Sequence, residues 1–304
     1  VAAGVLPLLI TPWLVWGLGG SVRTSEYPEG WTQAAAAMGS GEGSVLFLPW
    51  HAYQPFPFTD GRSVATPAAA FFARPALVSD AVELPGLRTD STSLRSAYVD
   101  RIVGEAGADT LGPLLAPLGV EYVAVAEGSG RPGDTSWVAG QPGVELVMTS
   151  PTMTLYRVTR SAVGRVGPAR VADFDEAVVG YRDQGWGSEA VLPPDPGGLG
   201  GAAEASRSSG GIARTSPTEW SVAAGEPGWV VIPEEWSAGW VTSEGAEAVP
   251  TLAGTAAVRV GGTATAVQYR PWRLLGPAIL GSLAVLVALI VGGVVEHRRE
   301  FLRR

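Results

Sequence analysis

Apolar residues are concentrated in two uncharged runs near the two ends of the chain. Residues 274–295 contain no charged side chain, and this length suffices for a transmembrane helix, which needs about 20 apolar residues. Residues 1–18 are also uncharged and carry two tryptophans near their end, where interfacial aromatic residues lie in membrane helices. The pattern predicts transmembrane helices at residues 1–20 and 272–296.

The N-terminal run has two other interpretations, a signal peptide and a buried core helix. A signal peptide is disfavoured because no basic residue precedes the run and residues 19–23 (GGSVR) form a poor cleavage site. The chain begins with Val1, so we expect it to start inside the last helix of a larger membrane protein. The basic tail at 297–304 marks the cytoplasmic side, and we therefore expect residues 21–271 to face outward.

The pattern between the two runs is that of an α/β domain over residues 21–160. Continuous apolar runs and β-branched residues predict strands, and apolar residues at helical spacing predict helices. The strands are expected at residues 44–48, 120–126, 144–148 and 152–159, and the helices at residues 31–38, 93–105 and 110–118. This order predicts a small sheet backed by helices.

The second half of the outward region has a different pattern. Residues 161–210 are expected to be a linker or irregular region, because residues 192–211 are rich in Pro, Gly and Ser and lack periodicity. Residues 211–271 alternate short strands with turns, including the hairpin signal Gly261-Gly262. The fold class predicted is α/β plus all-β, with a small α/β extracytoplasmic domain, a β-sandwich module and two flanking transmembrane helices.

Composition narrows the classes of function. The chain is 46% hydrophobic, which is ample for a core, and its formal net charge of −8 disfavours nucleic acid as a partner. It has no cysteine, which excludes disulfides and thiolate chemistry. Its two histidines, His51 and His297, are too few and too far apart for an ordinary His-based zinc site. All 21 basic residues are arginine, which together with abundant Ala and Gly indicates a GC-rich genome such as that of an actinobacterium.

The aromatic loop at residues 50–58 (WHAYQPFPF) is the best candidate binding surface, because aromatic faces stack on sugar rings. The candidate glycan-binding residues are Trp50, His51, Tyr53, Asp60 and Asp80. The structural alternative is that these rings plug the end of the sheet or rest on the lipid interface, with the two aspartates serving as turn or cap residues. The sequence carries no motif for a catalytic residue, a metal or a cofactor, and we assign none.

A second candidate surface lies in the all-β region, where four tryptophans occur at strand positions. They are Trp220, Trp229, Trp236 and Trp240. They could form a carbohydrate platform, but alternating spacing is more typical of a core. The neighbouring Glu234 and Glu235 look like a catalytic pair. Adjacent strand residues point to opposite faces, so we expect these two carboxylates not to share a site.

Several motifs in the chain occur together in one known class of protein. Residues 229–240 (WVVIPEEWSAGW) and residues 269–272 (YRPW) precede the final helix, and residues 45–50 (VLFLPW) and 118–125 (LGVEYVAV) lie in the α/β region. Together they resemble the C-terminal part of YfhO-like, GT-C-type bacterial membrane glycosyltransferases. The resemblance implies a polyprenyl-phosphate sugar donor and an envelope acceptor. The acidic catalytic residue of that class lies in a first outward loop that has no counterpart here, so no catalytic residue is carried over.

Three hypotheses follow. The chain is the outward and anchoring portion of an envelope glycosyltransferase-like protein, a non-catalytic envelope module that binds polysaccharide or a partner protein, or a structural cap on a membrane bundle. The partners expected are the lipid bilayer, an envelope glycan or polyprenyl-phosphate sugar, and other transmembrane helices of the same protein. Ala284, Ala288 and Gly292 form a small-residue face suited to such helix packing.

Overall fold

The structure, a computed structural model, describes residues 25–84, 86–104, 111–128, 135–159, 166–167, 169–184, 186, 189–194 and 211–303. The N-terminal helix predicted at residues 1–20 lies outside these residues, as does most of the Pro/Gly/Ser-rich stretch. The helices are α1 (Glu29–Met38), α2 (Ala68–Phe71), α3 (Leu94–Gly104), α4 (Leu111–Leu115), α5 (Phe174–Asp183) and α6 (Arg270–Arg303).

The strands fall into an N-terminal and a C-terminal group. The first group is β1 (Ser44–Leu48), β2 (Tyr53–Pro55), β3 (Ser63–Ala65), β4 (Ala76–Leu77), β5 (Glu83–Leu84), β6 (Leu87–Arg88), β7 (Val120–Ala126), β8 (Val144–Thr149) and β9 (Met153–Val158). The second group is β10 (Val166–Gly167), β11 (Ala169–Val171), β12 (Ala190–Leu192), β13 (Ile212–Ser216), β14 (Glu219–Val222), β15 (Gly228–Glu235), β16 (Trp240–Thr242), β17 (Val249–Pro250), β18 (Thr255–Val260) and β19 (Thr265–Tyr269).

The N-terminal group builds a five-stranded sheet in the order β4-β1-β7-β9-β8. β1 pairs in parallel with both β4 and β7, whereas β7, β9 and β8 pair antiparallel. All five residues of β1 are buried, because both faces of this sheet are covered and a strand covered on both faces needs a continuous apolar run. The predicted α/β unit is confirmed.

Alternate residues of β1 and β7 enter two separate cores on the two faces of this sheet. On one face, Leu46 and Val123 pack with side chains of α3, α4 and α5. On the other face, Phe47 and Tyr122 pack with α1, α2 and the aromatic residues of the 50–58 loop. The side chains of a strand point alternately to opposite faces, so one apolar sequence supplies both cores.

The C-terminal group builds the predicted β-sandwich. Its two sheets have the orders β10-β15-β18-β17 and β13-β14-β19-β16. Their inner faces enclose a core that includes Trp220, Ile232 and Trp240. The outer face of β15 and β18 is also covered, because Val231 and Ala257 pack against β11 and β12.

Residues 166–192, part of the segment expected to be irregular, contain ordered elements. β11 and β12 pair in parallel, and α5 packs its Phe174, Ala177 and Tyr181 into the α/β core. Helix α5 begins with a capping box in which Asp173 accepts from the Glu176 amide and Glu176 accepts from the Asp173 amide. These reciprocal bonds satisfy backbone donors that would otherwise lack a partner.

Residues 251–255 join the two units. They comprise the turn between β17 and β18 and the first residue of β18, and we call them the docking turn. Ala253 is almost fully buried and belongs to the α/β core. Thr255 Oγ1 donates to the carbonyl oxygen of Pro117 at 3.2 Å, and the Leu252 amide donates to the carbonyl oxygen of Val191 at 2.7 Å. The sandwich therefore contributes side chains and hydrogen bonds to the interior of the α/β unit.

Helix α6 follows β19 without an intervening loop, since the strand ends at Tyr269 and the helix begins at Arg270. Its segment Leu275–Gly292 has a mean hydropathy of 2.4 over 18 residues, and no part of that segment is buried against the rest of the protein. Within the described residues it is the one helix long and apolar enough to cross a membrane. Pro277 lies inside the helix and removes one backbone donor from its hydrogen-bond ladder.

Candidate functional site

The three parallel strands β1, β4 and β7 have their carboxyl ends at one edge of the sheet. The connection from β1 to β4 runs through α2 on one face of the sheet, whereas the connection from β4 to β7 runs through α3 and α4 on the other face. The strand order therefore reverses between β1 and β7, and open α/β sheets bind ligands at such a point. We use the name switch-point crevice for this edge, meaning the residues that follow β1, β4 and β7.

Trp50 and His51, which follow β1, have different environments. Trp50 is 8% exposed and packs in the α/β core, and its Nε1 donates to Asp100 Oδ1 at 2.6 Å. Its ring is therefore not an open stacking face for a sugar. His51 is half-buried, and its Nδ1 lies 2.7 Å from Glu83 Oε2. The contact is close but does not have hydrogen-bond geometry, since Nδ1 has no hydrogen-bond partner.

Asp80 follows β4 and organises the start of α3. Its Oδ2 accepts from the amide of Ser93 at 2.9 Å and from the hydroxyl of Thr92 at 2.8 Å. Burial by itself would raise the pKa of Asp80, but hydrogen bonds from Ser96, Thr92 and the Ser93 amide lower it from 3.8 to about 2. The Asp80 carboxylate is therefore charged at neutral pH and held by its own fold, although its Oδ1 has no hydrogen-bond partner.

Tyr53 and Asp60 lie on the hairpin formed by β2 and β3 rather than at the end of a sheet strand. Tyr53 pairs with Ala65 and is half-buried. Asp60 is an exposed residue of the hairpin turn with a positive φ of 53°, a conformation that Asp tolerates better than most residues. Trp50, His51 and Asp80 thus follow strands that end at the same edge of the sheet, whereas Asp60 lies at the hairpin turn.

The remaining aromatic residues of the loop pack in the core on one face of the sheet. This agrees with the alternative that these rings have a structural role. Phe56 is 1% exposed and packs edge-on against Trp31 at 5.7 Å between ring centroids. Phe58 stacks on Phe56 at 5.1 Å. This aromatic cluster fixes the backbone of the loop that carries His51 and Tyr53.

A second concave site lies between the α/β unit and the sandwich, and we call it the interdomain cleft. Its volume is about 480 Å³, within the range of about 300–1,000 Å³ that is typical of small-molecule sites. Its main lining residues are Arg95 from α3 and, from the sandwich, Glu234, Glu235, Trp236, Trp240 and Tyr269.

Glu234 and Glu235 both line the interdomain cleft, although their carboxylates have different partners, Arg214 and Arg95. The pairing of β15 with β18 shifts register between Ile232 and Glu235, so a β-bulge interrupts the regular strand at Pro233 and Glu234. A sequence pattern shows strand alternation but carries no direct signal for this bulge. Pro233, which cannot donate to a sheet ladder, was the one available hint.

Each glutamate of the cleft is paired with an arginine. Arg95 Nη2 lies 3.1 Å from Glu235 Oε2, and Arg214 Nη2 lies 3.0 Å from Glu234 Oε1. Burial raises the pKa of Glu234 above its usual value, although Arg214 and a hydrogen bond from Trp220 favour the charged form. Of the four tryptophans, Trp220 and Trp240 are buried in the sandwich core, whereas Trp229 and Trp236 are partly exposed.

No group of three or more His, Cys, Asp or Glu residues that could hold a metal ion occurs within the described part of the chain.

Comparison with known proteins gives a distant structural similarity. No family model matches the chain, and no curated protein matches it. Among solved structures, a cryo-EM structure of the arabinofuranosyltransferase AftD from Mycobacteria matches with a TM-score of 0.42 and 13% identity, covering 88% of this chain and 32% of that chain. A mutant AftD structure matches with a TM-score of 0.42 and 14% identity, covering 88% of this chain and 34% of that chain.

Both of these structures are of the arabinofuranosyltransferase AftD, and neither is a YfhO-like protein. The chain spans about a third of the length of the AftD chains that it matches. Function has to be argued from the sites themselves, because one fold hosts many activities.

Proposed function

We propose that the chain is the outward-facing, membrane-anchored portion of an envelope glycosyltransferase-like membrane protein that uses a polyprenyl-phosphate sugar donor. In this proposal the chain holds glycan close to the bilayer and does not itself transfer sugar. The observation that carries the proposal is helix α6, whose 18-residue apolar segment has no buried residue and follows directly on the folded body of the protein.

An exposed apolar helix of this length needs a nonpolar environment. Leu280 and Leu289 are each 68% exposed and Leu283 is 55% exposed. Removing one such side chain from water is worth about 1.5–3 kcal/mol, so the segment gains a large free energy on entering a bilayer. A hydrocarbon core about 30 Å thick matches the length of the segment.

The glycan part of the proposal is supported by the switch-point crevice. His51, which follows β1, supplies a half-buried imidazole, and Asp80, which follows β4, supplies a charged carboxylate at the same edge of the sheet. Sugar hydroxyls form hydrogen bonds with such donors and acceptors. Most small-molecule sites likewise contain a small number of polar groups in fixed positions.

One observation favours the second candidate, a non-catalytic envelope module that binds polysaccharide or a partner protein. The carboxylates of Asp80 and Asp100 are engaged in hydrogen bonds to their own fold. A general base has to reach the proton that it removes, so carboxylates used in this way favour binding over chemistry.

Membrane anchoring is tested by comparing two leucine substitutions of similar exposure. Leu283→Arg places a charge in the middle of α6, which costs about 2.5–3.5 kcal/mol of insertion free energy. Leu146→Arg is the control, since Leu146 is 60% exposed but lies on β8. We expect the wild type and Leu146→Arg to resist alkaline carbonate extraction from membranes, and Leu283→Arg to be partly released. The three proteins are compared without residues 1–20, because the helix predicted there would anchor each of them, and equal extraction of all three would then refute anchoring by α6.

Glycan binding at the crevice is tested with His51→Ala, measured by intrinsic tryptophan fluorescence during titration with neutral oligosaccharides. We expect weaker binding in this variant and no sugar transfer from a polyprenyl-phosphate donor by the purified chain. Asp60→Ala at the hairpin turn is the control and should bind as the wild type does. Transfer activity in the purified chain would overturn the non-catalytic role.

A further inference from the structure

The interdomain cleft has the composition of a binding site and plays no part in the crevice described above. One wall is Arg95 in the first turn of α3, and the other is the loop from Glu234 to Trp240. Small-molecule sites often lie between two folded units, where each unit can fix one side of the ligand.

The charges at the cleft are balanced before any ligand arrives. Glu235 pairs with Arg95, and Glu234 pairs with Arg214. A cationic ligand would have to compete with an arginine, and an anionic ligand would have to compete with a glutamate. A neutral ligand with many hydroxyl groups faces neither cost, since carboxylate oxygens and guanidinium groups retain free hydrogen-bonding positions while paired.

The aromatic wall of the cleft is fixed in orientation. Trp236 is partly exposed, and its Nε1 donates to the carbonyl oxygen of Ala248 at 3.1 Å. Tyr269 is also partly exposed and packs against Trp240 at 5.3 Å between ring centroids. An indole held by its nitrogen keeps one ring position, so it offers a preformed surface to C–H groups of a ligand.

The cleft adjoins the start of the apolar helix. Tyr269 is the last residue of β19, and Arg270 begins α6. The Arg270 amide donates to the carbonyl oxygen of Gly239 at 2.7 Å. A Cβ at residue 239 would stand 2.6 Å from the Tyr269 ring, so the cleft loop and the helix start are in close contact.

We propose that the interdomain cleft binds a single sugar unit of a neutral glycan, with the Trp236 ring against the sugar face and Glu235 and Arg95 bonded to its hydroxyls. This second glycan site is independent of the switch-point crevice, although it extends the proposed function to the part of the body next to α6. Aromatic rings and paired charged groups together recognise a ring that has apolar C–H faces and polar edges.

The test is isothermal titration of the full chain in detergent with neutral gluco-, manno- and arabino-oligosaccharides. We expect saturable binding of at least one series, weakened at least about tenfold by Trp236→Ala, a loss of about 1.4 kcal/mol. The matched control is Trp229→Ala, because Trp229 is a partly exposed tryptophan of β15 that does not line the cleft. It should bind as tightly as the wild type.

A second pair of variants covers the case in which Trp236→Ala does not fold. Glu235→Ala removes a hydroxyl acceptor whose side chain is 45% exposed, and Glu247→Ala removes an exposed glutamate outside the cleft. We expect a several-fold loss of affinity in the first variant and no change in the second. Equal losses in cleft and control variants, or binding of neutral oligosaccharides that His51→Ala weakens and Trp236→Ala does not, would overturn the proposal and leave the proposed function standing. Absence of saturable binding, or binding restricted to charged oligosaccharides, would overturn both this proposal and glycan binding at the switch-point crevice, whereas carbonate extraction tests the membrane anchor separately.

Discussion

The backbones of Gly254 and Arg95 lie in direct contact across the boundary between the sandwich and the α/β unit. A Cβ added at residue 254 would stand 2.2 Å from the Arg95 amide nitrogen, and Gly254 has a positive φ of 72°. Only glycine combines this backbone conformation with the absence of a side chain. The contact therefore fixes both the docking turn and the wall of the interdomain cleft to which Arg95 belongs.

The contact predicts a large effect of a small substitution. Gly254→Ala should lower the free energy of unfolding by at least about 2 kcal/mol, through the positive φ and the clash with main-chain atoms that cannot move aside. Gly61→Ala is the control, because Gly61 has a similar φ of 70° and open space around its Cα. Denaturant unfolding of the two variants should separate the two contributions. Equal losses would mean that the clash is relieved at no cost.

Asp80→Asn should destabilise the protein at neutral pH by about 1–2 kcal/mol, because the charged acceptor of the turn before α3 is lost. The pKa of Asp80 is lowered from 3.8 to about 2. A depressed folded-state pKa contributes stability above the unfolded value, and that contribution is lost as the pH falls through about 2. The difference between wild type and variant should therefore shrink between about pH 4 and about pH 2. A difference that stays constant over this window, measured by urea unfolding, would contradict the role of the charge. Asp60→Asn at the exposed turn should show little effect at any pH.

Limited proteolysis should cut first within residues 195–211, because this stretch is rich in Pro, Gly and Ser. The docking turn adds a second expectation. The two products should remain associated after cleavage, since Ala253 and Thr255 are buried in the α/β unit. Gel filtration of the cleaved protein in detergent provides the measurement. Early cleavage within β7 would contradict the domain assignment, and separation of the products would contradict the interlocked packing.

Residues 21–271 should be accessible from outside the cell. The chain has no cysteine, so Ser208→Cys introduces a single label site in the outward region and Arg304→Cys introduces one in the basic tail. In intact cells a membrane-impermeant maleimide should label the first variant, and it should label the second only after permeabilisation. The reverse pattern would show that the chain is oriented the other way.

The parts of the fold that the sequence predicted are those governed by local patterns. The apolar run of β1 and the β-branched run of β7 identify buried strands without reference to any partner. The sequence also contains local signals for helix α5. Asp173 and Glu176 form a capping-box pattern, and Phe174, Ala177 and Tyr181 occur at helical spacing. The Pro/Gly/Ser-rich stretch beside this segment favours an irregular region and outweighs the local helix signal.

The remaining features depend on which distant segments meet. The switch-point crevice depends on the position of β1 between β4 and β7. The buried position of Trp50 includes a hydrogen bond to Asp100, which lies 50 residues further along the chain. The interdomain cleft requires Arg95 and Glu235 to meet across 140 residues. Apolar periodicity reports the face of an element and not its neighbour, so neither site could be derived from it.

Strand β19 ends at Tyr269 and α6 begins at Arg270, so no loop separates the folded body from the helix. Rotation or tilt of α6 within the bilayer would therefore rotate or tilt the attached body by the same angle. The tilt of this one helix would then set the height of the cleft above the lipid headgroups. A change in bilayer thickness alters the tilt of a transmembrane helix. It would therefore also change the distance from the membrane at which the cleft binds its ligand.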